Sequence, residues 1–380
     1  MRIMFLSKIL TKGGSAIHQY SLAKALLAKG HEVCIVSGGP IDDPQARERF
    51  EASVKDGVEH HIIGFPHAFP MGVFHKSYLL LRYIVLVPRF LLFAFKYKPD
   101  VIHVHYPVTS YLAKIYSLLT GKKYVVTYHI GGIPDHILHY RGHYAIAISS
   151  ALKQELKTRF SYQDEQICLI HNGVSHLKFD GKTPQNRIAL CDKYTIPCGK
   201  TVIGFVGELS ERKGIDVLCE ALGEIDDDYH LVLVGDGDRR WVEKLITRYR
   251  LSKNVTIVPF QDPYELYQLF DFLVLPSRKE GFPLVVIEAM LMGKAIIRSN
   301  TEGAADQIEH GVNGFLFRNE DVDRLRKYCK LLLQDKSLRE QMGREARARA
   351  LERFTEKSMV DKTVDLYHRA AKGVDISWAD

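Results

Sequence analysis

Short apolar runs rich in β-branched residues alternate along the chain with longer stretches in which apolar residues recur every three or four positions. In the first half, strands are predicted at RIMFLS, HEVCIVSG, VIHVHYP, KYVVTYHI and AIAIS, and helices at 15–29, 108–120 and 150–160. Because parallel strands need a helical crossover between them, this alternation is typical of a doubly wound α/β sheet.

The same alternation restarts after a polar, proline-bearing stretch at about 175–199. Strands are predicted at VIGFVG, HLVLVGDG, VTIVPF, FLVLPS, KAIIRS and GFLF, with helices at 214–223, 239–250, 263–270, 284–292 and 304–310. A long helical stretch at 321–352 and an amphipathic helix at 355–372 follow. Since 380 residues are enough for two cores, we predict two Rossmann-like domains of similar size.

Positive charge is concentrated in the first half of the chain. Residues 1–180 carry 21 Lys and Arg against 13 Asp and Glu, whereas 181–380 carry 31 against 32. Such an excess suits an anionic partner, which could be a membrane surface, an acidic lipid or a nucleic acid, and a solvated basic face has the same composition.

The segment at 78–95, YLLLRYIVLVPRFLLFAF, is the most apolar part of this basic half. Its two arginines and Pro88 argue against a transmembrane helix, which needs about 20 apolar residues without interruption. The remaining interpretations are a core helix and an amphipathic segment that lies on a membrane surface.

Neither cysteines nor paired aspartates predict a metal site. The six cysteines lack a Cys-x-x-Cys spacing, so we expect reduced thiols in a cytoplasmic protein. Asp-x-Asp pairs occur at 226/228, 236/238 and 321/323 without a His or Glu at metal-ligand spacing. Solvated loops and helix N-caps explain these pairs better than a divalent ion does.

Two adjacent glycines after the first predicted strand are the first candidate for a ligand site. Gly13 and Gly14 precede a helix, so the backbone could approach a ligand closely while the helix N-terminus offers free N–H groups to an anion. The loop lacks the third glycine of the dinucleotide-binding fingerprint and is not a P-loop, and a simple tight turn explains it equally well.

The corresponding position of the second half reads GFVGELSERKGID, in which Arg212 and Lys213 follow a strand-end glycine. Two cations beside a helix N-terminus suit a diphosphate, because arginine binds phosphate oxygens bidentately and lysine acts as a point charge. An ordinary exposed pair of cations is the alternative.

The stretch EGFPLVVIEAM places Glu280 and Glu288 at the two ends of an apolar run. Gly281, Phe282 and Pro283 are predicted to form a turn, and a helix begins with the proline in its first turn, where a missing N–H costs nothing. The helix N-terminus suits a phosphate, and the carboxylates can accept hydrogen bonds from ribose or sugar hydroxyls. This combination predicts a sugar nucleotide as the ligand.

His129 ends a predicted strand in KYVVTYHIGG and is followed by two glycines. Most of the 17 histidines, including His103 and His105, are expected to be structural or exposed. A histidine at a strand end before a glycine turn is a better candidate to contact a ligand.

Taken together, these motifs resemble retaining glycosyltransferases of the GT-B fold, in the large family (family four, group 1) that includes bacterial lipopolysaccharide, capsule and phosphatidylinositol mannosyl transferases. The resemblance covers almost the whole chain through GGSAIHQYSLAKALLAKGHEV, PDVIHVHYP, VVTYH, HNGV, GELSERKGID, EGFPLVVIEAM and EHGVNGFLF. It implies an acceptor-binding domain at 1–180, a donor-binding domain at 181–354 and a cleft between them. The helix at 355–372 would cross back to the first domain.

The resemblance also implies roles for the candidate residues. Arg212 and Lys213 would bind the donor diphosphate, Glu288 the ribose hydroxyls, and Glu280 the donor sugar near its C3 position. His129 would contact the donor sugar and support charge at the anomeric centre.

Main-chain groups complete the implied donor site. Gly13 and Gly14 would lie against the diphosphate, and the backbone of Gly281, Phe282, Pro283 and Leu284 would lie by the sugar and phosphates. Many members of the family have arginine where this chain has Glu208, so here the cation would come from Arg212 next to Lys213.

The implied activity is hexosyl transfer, with retention, from a nucleotide sugar to a glycan or lipid-linked acceptor in bacterial surface polysaccharide or glycolipid synthesis. UDP is the commonest donor nucleotide in the family, and we expect no metal, no other cofactor and no nucleic acid partner. The enzyme would be cytoplasmic, with peripheral contact to the anionic inner face of the membrane. The alternatives are a GT-B sugar-nucleotide epimerase or hydrolase, and a non-catalytic GT-B partner subunit.

Overall fold

The computed structural model describes residues 1–11, 13–65, 73–133, 138–179 and 186–372, without the side chains of 73–83 and Lys178. These residues form two compact units. The first unit comprises Met1–His171 together with the segment that begins at Glu356, and the second comprises Asn172–Thr355.

The first unit contains a seven-stranded sheet in the order β3-β2-β1-β4-β5-β6-β7, and its strand pairs are parallel. Its strands are β1 (Arg2–Leu6), β2 (Glu32–Ser37), β3 (Glu59–Ile62), β4 (Val101–Val104), β5 (Tyr124–Tyr128), β6 (Tyr144–Ala147) and β7 (Ile167–Leu169). Its α-helices are α1 (Gly14–Ala28), α2 (Pro44–Lys55), α3 (Val73–Tyr97), α4 (Ser110–Thr120), α5 (Ser150–Thr158) and the last helix of the chain, α14 (Glu356–Lys372).

The second unit contains a six-stranded parallel sheet in the order β10-β9-β8-β11-β12-β13. Its strands are β8 (Thr201–Val206), β9 (Tyr229–Val234), β10 (Val255–Val258), β11 (Phe272–Leu275), β12 (Ala295–Ser299) and β13 (Gly314–Phe317). Its α-helices are α6 (Arg187–Tyr194), α7 (Ile215–Gly223), α8 (Arg239–Arg248), α9 (Tyr264–Leu269), α10 (Leu284–Leu291), α11 (Ala304–Gln307), α12 (Val322–Gln334) and α13 (Lys336–Arg353).

Burial explains why the strands could be predicted from continuous apolar runs in the sequence. β5 and β9 are buried at every position, as expected for central strands of a parallel sheet that is covered on both faces. In each sheet the strand order reverses once, between β1 and β4 and between β8 and β11. Because parallel crossovers are right-handed, the helices before and after each reversal lie on opposite faces of the sheet.

The last helix belongs to the first unit. Lys29 forms an ion pair with Asp361 of α14 (2.8 Å), and the buried hydroxyl of Tyr367 lies 2.6 Å from Nδ1 of His103 on β4. The packing of α14 in the first unit is the arrangement that the resemblance implied for residues 355–372.

The chain passes from one unit to the other between His171 and Asn172, earlier than the predicted boundary at 180/181. The earlier change has a local cause, because Asn172 donates a hydrogen bond to the carbonyl oxygen of Phe282 (3.0 Å). Val174 donates to the carbonyl oxygen of Phe354 (3.0 Å), so this stretch is anchored in the second unit. Residues 180–185 of the predicted linker lie outside the described residues.

Several elements differ from the sequence prediction. Helices α2 and α6 and strands β3 and β7 were not predicted, because these short elements lack a strong apolar period. The predicted helical stretch at 321–352 is two helices, α12 and α13, separated by Asp335, whose carboxylate caps the second helix at Leu338. The extended backbone of Asp335 (φ −110°, ψ 92°) ends α12, and its side chain caps the N-terminus of α13.

The prediction of six reduced thiols was wrong. Cys191 and Cys198 form a disulfide across α6 and the loop that follows it, with Cα atoms 5.6 Å apart. The spacing of seven residues does not reveal this pair, because the turn after α6 brings the two together. The remaining cysteines are buried without a disulfide: Cys34, Cys168, Cys219 and Cys329.

The apolar segment at 78–95 lies in α3, with the side chains of 78–83 outside the described residues. From Ile84 onward the helix buries one face through Leu86, Phe90 and Ala94. Of the described helices, none has both the length and the apolar character that a membrane crossing requires.

We predict that Gly343→Ala destabilises the second unit although alanine is the better helix former. A Cβ at Gly343 in α13 would collide with the carbonyl oxygen of Gly293, which follows α10. The helix gains about 1 kcal/mol from alanine, but overpacking against backbone costs more, so we expect a net loss of about 2 kcal/mol in the free energy of unfolding. Thermal denaturation measures the effect, with Gly199→Ala as the control because its Cβ meets nothing within 4 Å. Equal melting temperatures for the two variants would contradict the packing argument.

Candidate active site

In the second unit, the candidate residues lie at the point where the strand order reverses. Loop 207–214 follows β8 and loop 276–283 follows β11, and these two strands are neighbours in the sheet. Ligands of open α/β sheets bind outside the carboxyl ends of the strands at such a reversal. Arg212, Lys213 and Glu280 are therefore placed where a ligand site is expected.

The two loops are fixed to each other by Arg278, which the sequence analysis did not identify. Its guanidinium contacts both carboxylate oxygens of Asp216 on α7 (2.8 and 2.7 Å), and its backbone N–H donates to the carbonyl oxygen of Arg212 (2.9 Å). Gly214 has a left-handed backbone (φ 70°), and a Cβ there would collide with the carbonyl oxygen of Pro276. Close backbone contact and a bidentate ion pair therefore hold the loops in one arrangement.

Lys213 and Glu280 form an ion pair at the centre of this arrangement. Their side chains are only 13% and 10% exposed. Removing two charges from water is costly, and a buried pair persists only where the partners compensate each other. The ammonium and the carboxylate are consequently held in place before any ligand binds.

Arg212, the neighbour of Lys213, is in a different environment. Its side chain is 49% exposed, and its guanidinium contacts the carboxylate of Glu208 (3.0 Å) and the carbonyl oxygen of Lys279 (3.3 Å). An exposed ion pair of this kind contributes at most about 1 kcal/mol, so Arg212 can exchange Glu208 for another anion at little cost. Glu208 thus holds the cation within the loop but does not bury it.

Glu288 lies in the second turn of α10, as predicted, and is oriented by a residue that the sequence did not reveal. The hydroxyl of the fully buried Tyr267 donates to Oε2 of Glu288 (2.8 Å). Burial and then the charge of Glu288 raise the pKa of Tyr267 well above its usual value, so the phenol stays protonated and remains a donor.

The turn between the two glutamates is supported through its carbonyl oxygens. Asn172 donates to Phe282, and the side-chain amide of Gln307 donates to the carbonyl oxygen of Pro283 (3.1 Å). Helix α10 begins at Leu284, so Pro283 is the residue before the helix and not part of its first turn. Within the described chain no side chain caps this helix, and its first N–H groups are directed toward the same end of the sheet as the Lys213–Glu280 pair.

In the first unit, Gly13 and Gly14 stand at the start of α1. Neither the backbone conformation nor the packing of the described residues requires glycine at these two positions. Gly13 has an extended backbone (φ −77°, ψ 174°), and a Cβ at Gly14 would meet nothing within 4 Å. The structure therefore excludes a strained tight turn as the reason for the two glycines. It leaves open space beside the start of α1.

His129 follows β5 and belongs to a cluster of four histidines in the first unit. Its Nε2 lies 3.2 Å from Nδ1 of His105, which follows β4, and its ring lies 5.0 Å from that of His18 on α1. His103 contacts the hydroxyls of Tyr367 and Thr127, both at 2.6 Å.

Burial keeps these imidazoles neutral near pH 7. It lowers the pKa of His18 to about 4 and holds the pKa of His103, His105 and His129 well below the usual histidine value, where neighbouring imidazoles reinforce the effect. A neutral histidine presents both a donor and a lone pair to a ligand. The expectation that the chain binds no metal remains a prediction. The sequence analysis did not anticipate this cluster of histidines.

A cavity of about 370 Å³ borders the cluster. Its walls include His105 and His129 as well as Ser15 near the start of α1 and Lys8 after β1. Burial lowers the pKa of Lys8. Lys8 was not singled out from the sequence, although its position just after the first strand is where a ligand-binding cation could have been sought.

Two family models cover most of the chain, one for each unit. The model described as Glycosyltransferase Family 4 matches residues 12–176, and the model described as Glycosyl transferases group 1 matches residues 187–349. The junction between the two matches lies near the change of unit at Asn172.

Relatives and solved structures match the chain over most of its length. An uncharacterized glycosyltransferase of Methanocaldococcus jannaschii is 26% identical, over 93% of this chain and 94% of that protein. The capsular polysaccharide biosynthesis glycosyltransferase CapM of Staphylococcus aureus is 26% identical, over 70% of this chain and 71% of CapM. The crystal structure of Anabaena HepE in complex with UDP has a TM-score of 0.82 at 21% identity, over 97% of this chain and all of that chain. These similarities confirm the predicted GT-B fold.

We predict a strong energetic coupling between Lys213 and Glu280. Replacing one partner by alanine leaves a buried charge unpaired, whereas replacing both removes the charge altogether, so the double variant should recover about 2 kcal/mol relative to the sum of the single variants. Denaturant unfolding of wild type, both single variants and the double variant measures the coupling.

The exposed pair Arg239 and Glu243 is the matched control, because these side chains also form an ion pair (2.9 Å) but are more than half exposed. Their coupling should be below about 0.5 kcal/mol. If both pairs gave the same small coupling, the Lys213–Glu280 contact would not be the buried constraint described above.

Proposed function

This chain belongs to the glycosyltransferases of group 1 and family 4, and we propose that it transfers a hexose from a UDP-sugar to a glycan or lipid-linked acceptor with retention at the anomeric carbon. The observation that carries the proposal is the buried Lys213–Glu280 pair at the strand reversal of the second unit. The UDP bound to HepE supports uracil as the donor base.

Lys213 and Arg212 are proposed to bind the donor diphosphate. An ammonium has three N–H donors, so Lys213 can contact a phosphate oxygen while it remains paired with Glu280. Arg212 can release Glu208 and bind phosphate at little cost, because its present ion pair is exposed. The uncapped start of α10 adds N–H groups that favour an anion. These preorganised charges would stabilise the leaving diphosphate without a metal ion.

The two glutamates are proposed to recognise the sugars of the donor. Glu288, oriented by Tyr267, would accept hydrogen bonds from the ribose hydroxyls, and Glu280, oriented by Lys213, would accept one from the transferred sugar near its C3 position. The backbone of Gly281, Phe282, Pro283 and Leu284 would line the donor, since the contacts from Asn172 and Gln307 hold this turn in place.

The first unit is proposed to contribute His129 and the two glycines. A neutral His129 can direct a ring lone pair toward positive charge at the anomeric carbon. The open space beside Gly14 would allow a diphosphate to approach the backbone at the start of α1.

We propose that the reaction occurs on one face of the donor sugar. The bond between the anomeric carbon and the phosphate oxygen breaks, and the acceptor oxygen forms its bond on the side from which the diphosphate departs. The acceptor proton passes to the departing phosphate oxygen. This route gives retention without a covalent intermediate on the protein, and NMR of the product tests the retention through its anomeric configuration.

The decisive variant is Glu280→Gln, which keeps an oxygen acceptor for Lys213 while Arg278 still holds the two loops together. Loss of a charged hydrogen bond to the sugar should lower kcat/KM by about 10- to 100-fold. Release of nucleoside diphosphate from a panel of UDP-, GDP- and ADP-sugars, with and without a polyprenyl-linked saccharide acceptor, measures activity. The control is Glu243→Gln on the exposed face of α8.

Each outcome of the panel has a distinct meaning. Acceptor-dependent release from one donor, lost in Glu280→Gln and kept in Glu243→Gln, supports transfer. Release that no acceptor stimulates would identify a hydrolase or epimerase instead. No release from any donor, together with no binding of UDP, GDP or ADP in a thermal-shift titration, would indicate a non-catalytic subunit.

We further propose that α3 and α4 contact an anionic membrane surface, where a lipid-linked acceptor would be found. At about 100° per residue, the exposed side chains of Ile84, Val85, Leu92 and Phe95 fall on one arc of α3. Arg89 borders this arc and is exposed as well. An apolar face flanked by cations is typical of helices that lie in a membrane interface.

Helix α4 extends the same apolar surface. Leu118 and Leu119 are 71% and 60% exposed, and α4 packs against α3 through Tyr116 and Phe95, whose rings are 5.5 Å apart. Together with the net positive charge of the first half, this favours lipid over a solvated helix face.

Co-sedimentation with vesicles of phosphatidylcholine, with and without phosphatidylglycerol, tests the membrane proposal. Wild type should sediment with the anionic vesicles, and the double variant Leu92→Glu, Phe95→Glu should reduce the bound fraction at least fivefold, because two charges would have to enter the interface. Val54→Glu, at an exposed apolar residue of α2, is the control and should bind like wild type. Binding that is equal for all three proteins, or absent for wild type, would refute this surface.

A further inference from the structure

The histidine cluster of the first unit contains a polar atom that sugar transfer does not use. Nδ1 of His18 is buried and has no hydrogen-bond partner among the described residues. A buried polar atom without a partner is destabilising, so this one calls for an explanation. A ligand that accepts electron pairs from several imidazoles at once would provide it.

We propose that His18, His105 and His129 form a binding site for a divalent transition-metal ion of the zinc class, and that the bound ion inhibits sugar transfer. Each residue offers one ring nitrogen, and the three nitrogens lie within 4.8 Å of one another. Imidazole is a preferred ligand of Zn²⁺, Ni²⁺, Cu²⁺ and Co²⁺, whereas Mg²⁺ and Ca²⁺ prefer oxygen. The site therefore selects the first group of ions.

Two of the three ligands are already at the required separation. Zinc–nitrogen bonds of 2.0–2.1 Å in a tetrahedron place neighbouring nitrogens about 3.3 Å apart. Nδ1 of His105 and Nε2 of His129 are separated by 3.2 Å. At present this contact shares one proton, and on metal binding the donating ring moves that proton to its other nitrogen, so no proton is released. The ring nitrogen of His18 would move by at most about 1.5 Å to complete the set.

The cavity beside the cluster gives an ion access to the site, and the contacts of His103 exclude it as a ligand. His105 and His129 line the cavity of about 370 Å³, which offers an entry path and room for a water molecule as the fourth ligand. His103 is not part of the set, because its two ring nitrogens contact Tyr367 and Thr127. The geometry thus points to a three-histidine site with one open position.

Inhibition follows from the identity of one ligand. A metal ion on His129 occupies the lone pair that is proposed to face the anomeric carbon, so donor turnover and metal binding compete for the same imidazole. This consequence rests on the proposed sugar transfer, whereas the metal site itself does not.

Cobalt and zinc are the probes for the site. Metal-free full-length protein is titrated with Co²⁺, whose visible absorption reports tetrahedral coordination, and with Zn²⁺ by calorimetry. Wild type should bind one ion with tetrahedral cobalt bands, and His18→Asn should bind Zn²⁺ at least about tenfold more weakly. His60→Asn is the control, because His60 is another histidine of the same unit whose ring contacts Ser53 outside the cluster. Circular dichroism checks folding, and His129→Asn, at a half-buried position, serves as a second ligand variant if His18→Asn does not fold.

The binding measurement tests the metal site, and the activity measurement tests the inhibition. Absence of tetrahedral cobalt bands in wild type, or equal zinc affinity in wild type and the folded ligand variant, would overturn the metal site whether or not the protein transfers sugar. If the site binds zinc, the transfer rate of wild type should fall as the ion saturates the protein, and the rate of His60→Asn should fall in parallel. Unchanged transfer at saturating zinc would overturn the inhibition and leave the sugar-transfer proposal intact.

Discussion

The ion pair between Lys213 and Glu280 is the interaction on which the candidate donor site depends. Each residue comes from a different loop, and both charges are largely withdrawn from water. Such a pair is stable only if the two loops are held together independently, which Arg278 does by contacting Asp216 and the backbone of Arg212. The strand reversal places the two loops side by side, Arg278 joins them, and the joined loops hold the buried ion pair.

A second set of buried polar contacts organises the first unit. The contact of Tyr367 with His103 links the final helix α14 to the central strand β4. Helix α14 therefore packs in the unit that also contains the first strand, β1. His105 and His129 follow neighbouring strands and share a proton at 3.2 Å. Neutral imidazoles can be packed together in this way because burial removes their tendency to take up a proton.

The sequence was sufficient to predict the parts of the molecule that follow from local pattern. Buried parallel strands are continuous apolar runs, and residues at their carboxyl ends, such as Lys213, Glu280 and His129, could be identified as candidates without a structure. Their partners could not be identified in this way, since Tyr267 is 21 residues from Glu288 and Arg278 is 62 residues from Asp216. The disulfide and the break at Asp335 were missed for a similar reason, because they depend on turns and not on apolar period.

The proposed binding of the donor diphosphate by Lys213 can be tested without a sugar or an acceptor. The measurement is calorimetric titration of UDP alone into wild type and Lys213→Gln. Glutamine can still donate a hydrogen bond to Glu280 but carries no charge, so the affinity for UDP should fall at least about tenfold, the equivalent of one charged hydrogen bond. Equal affinity of UDP for the two proteins would contradict the claim.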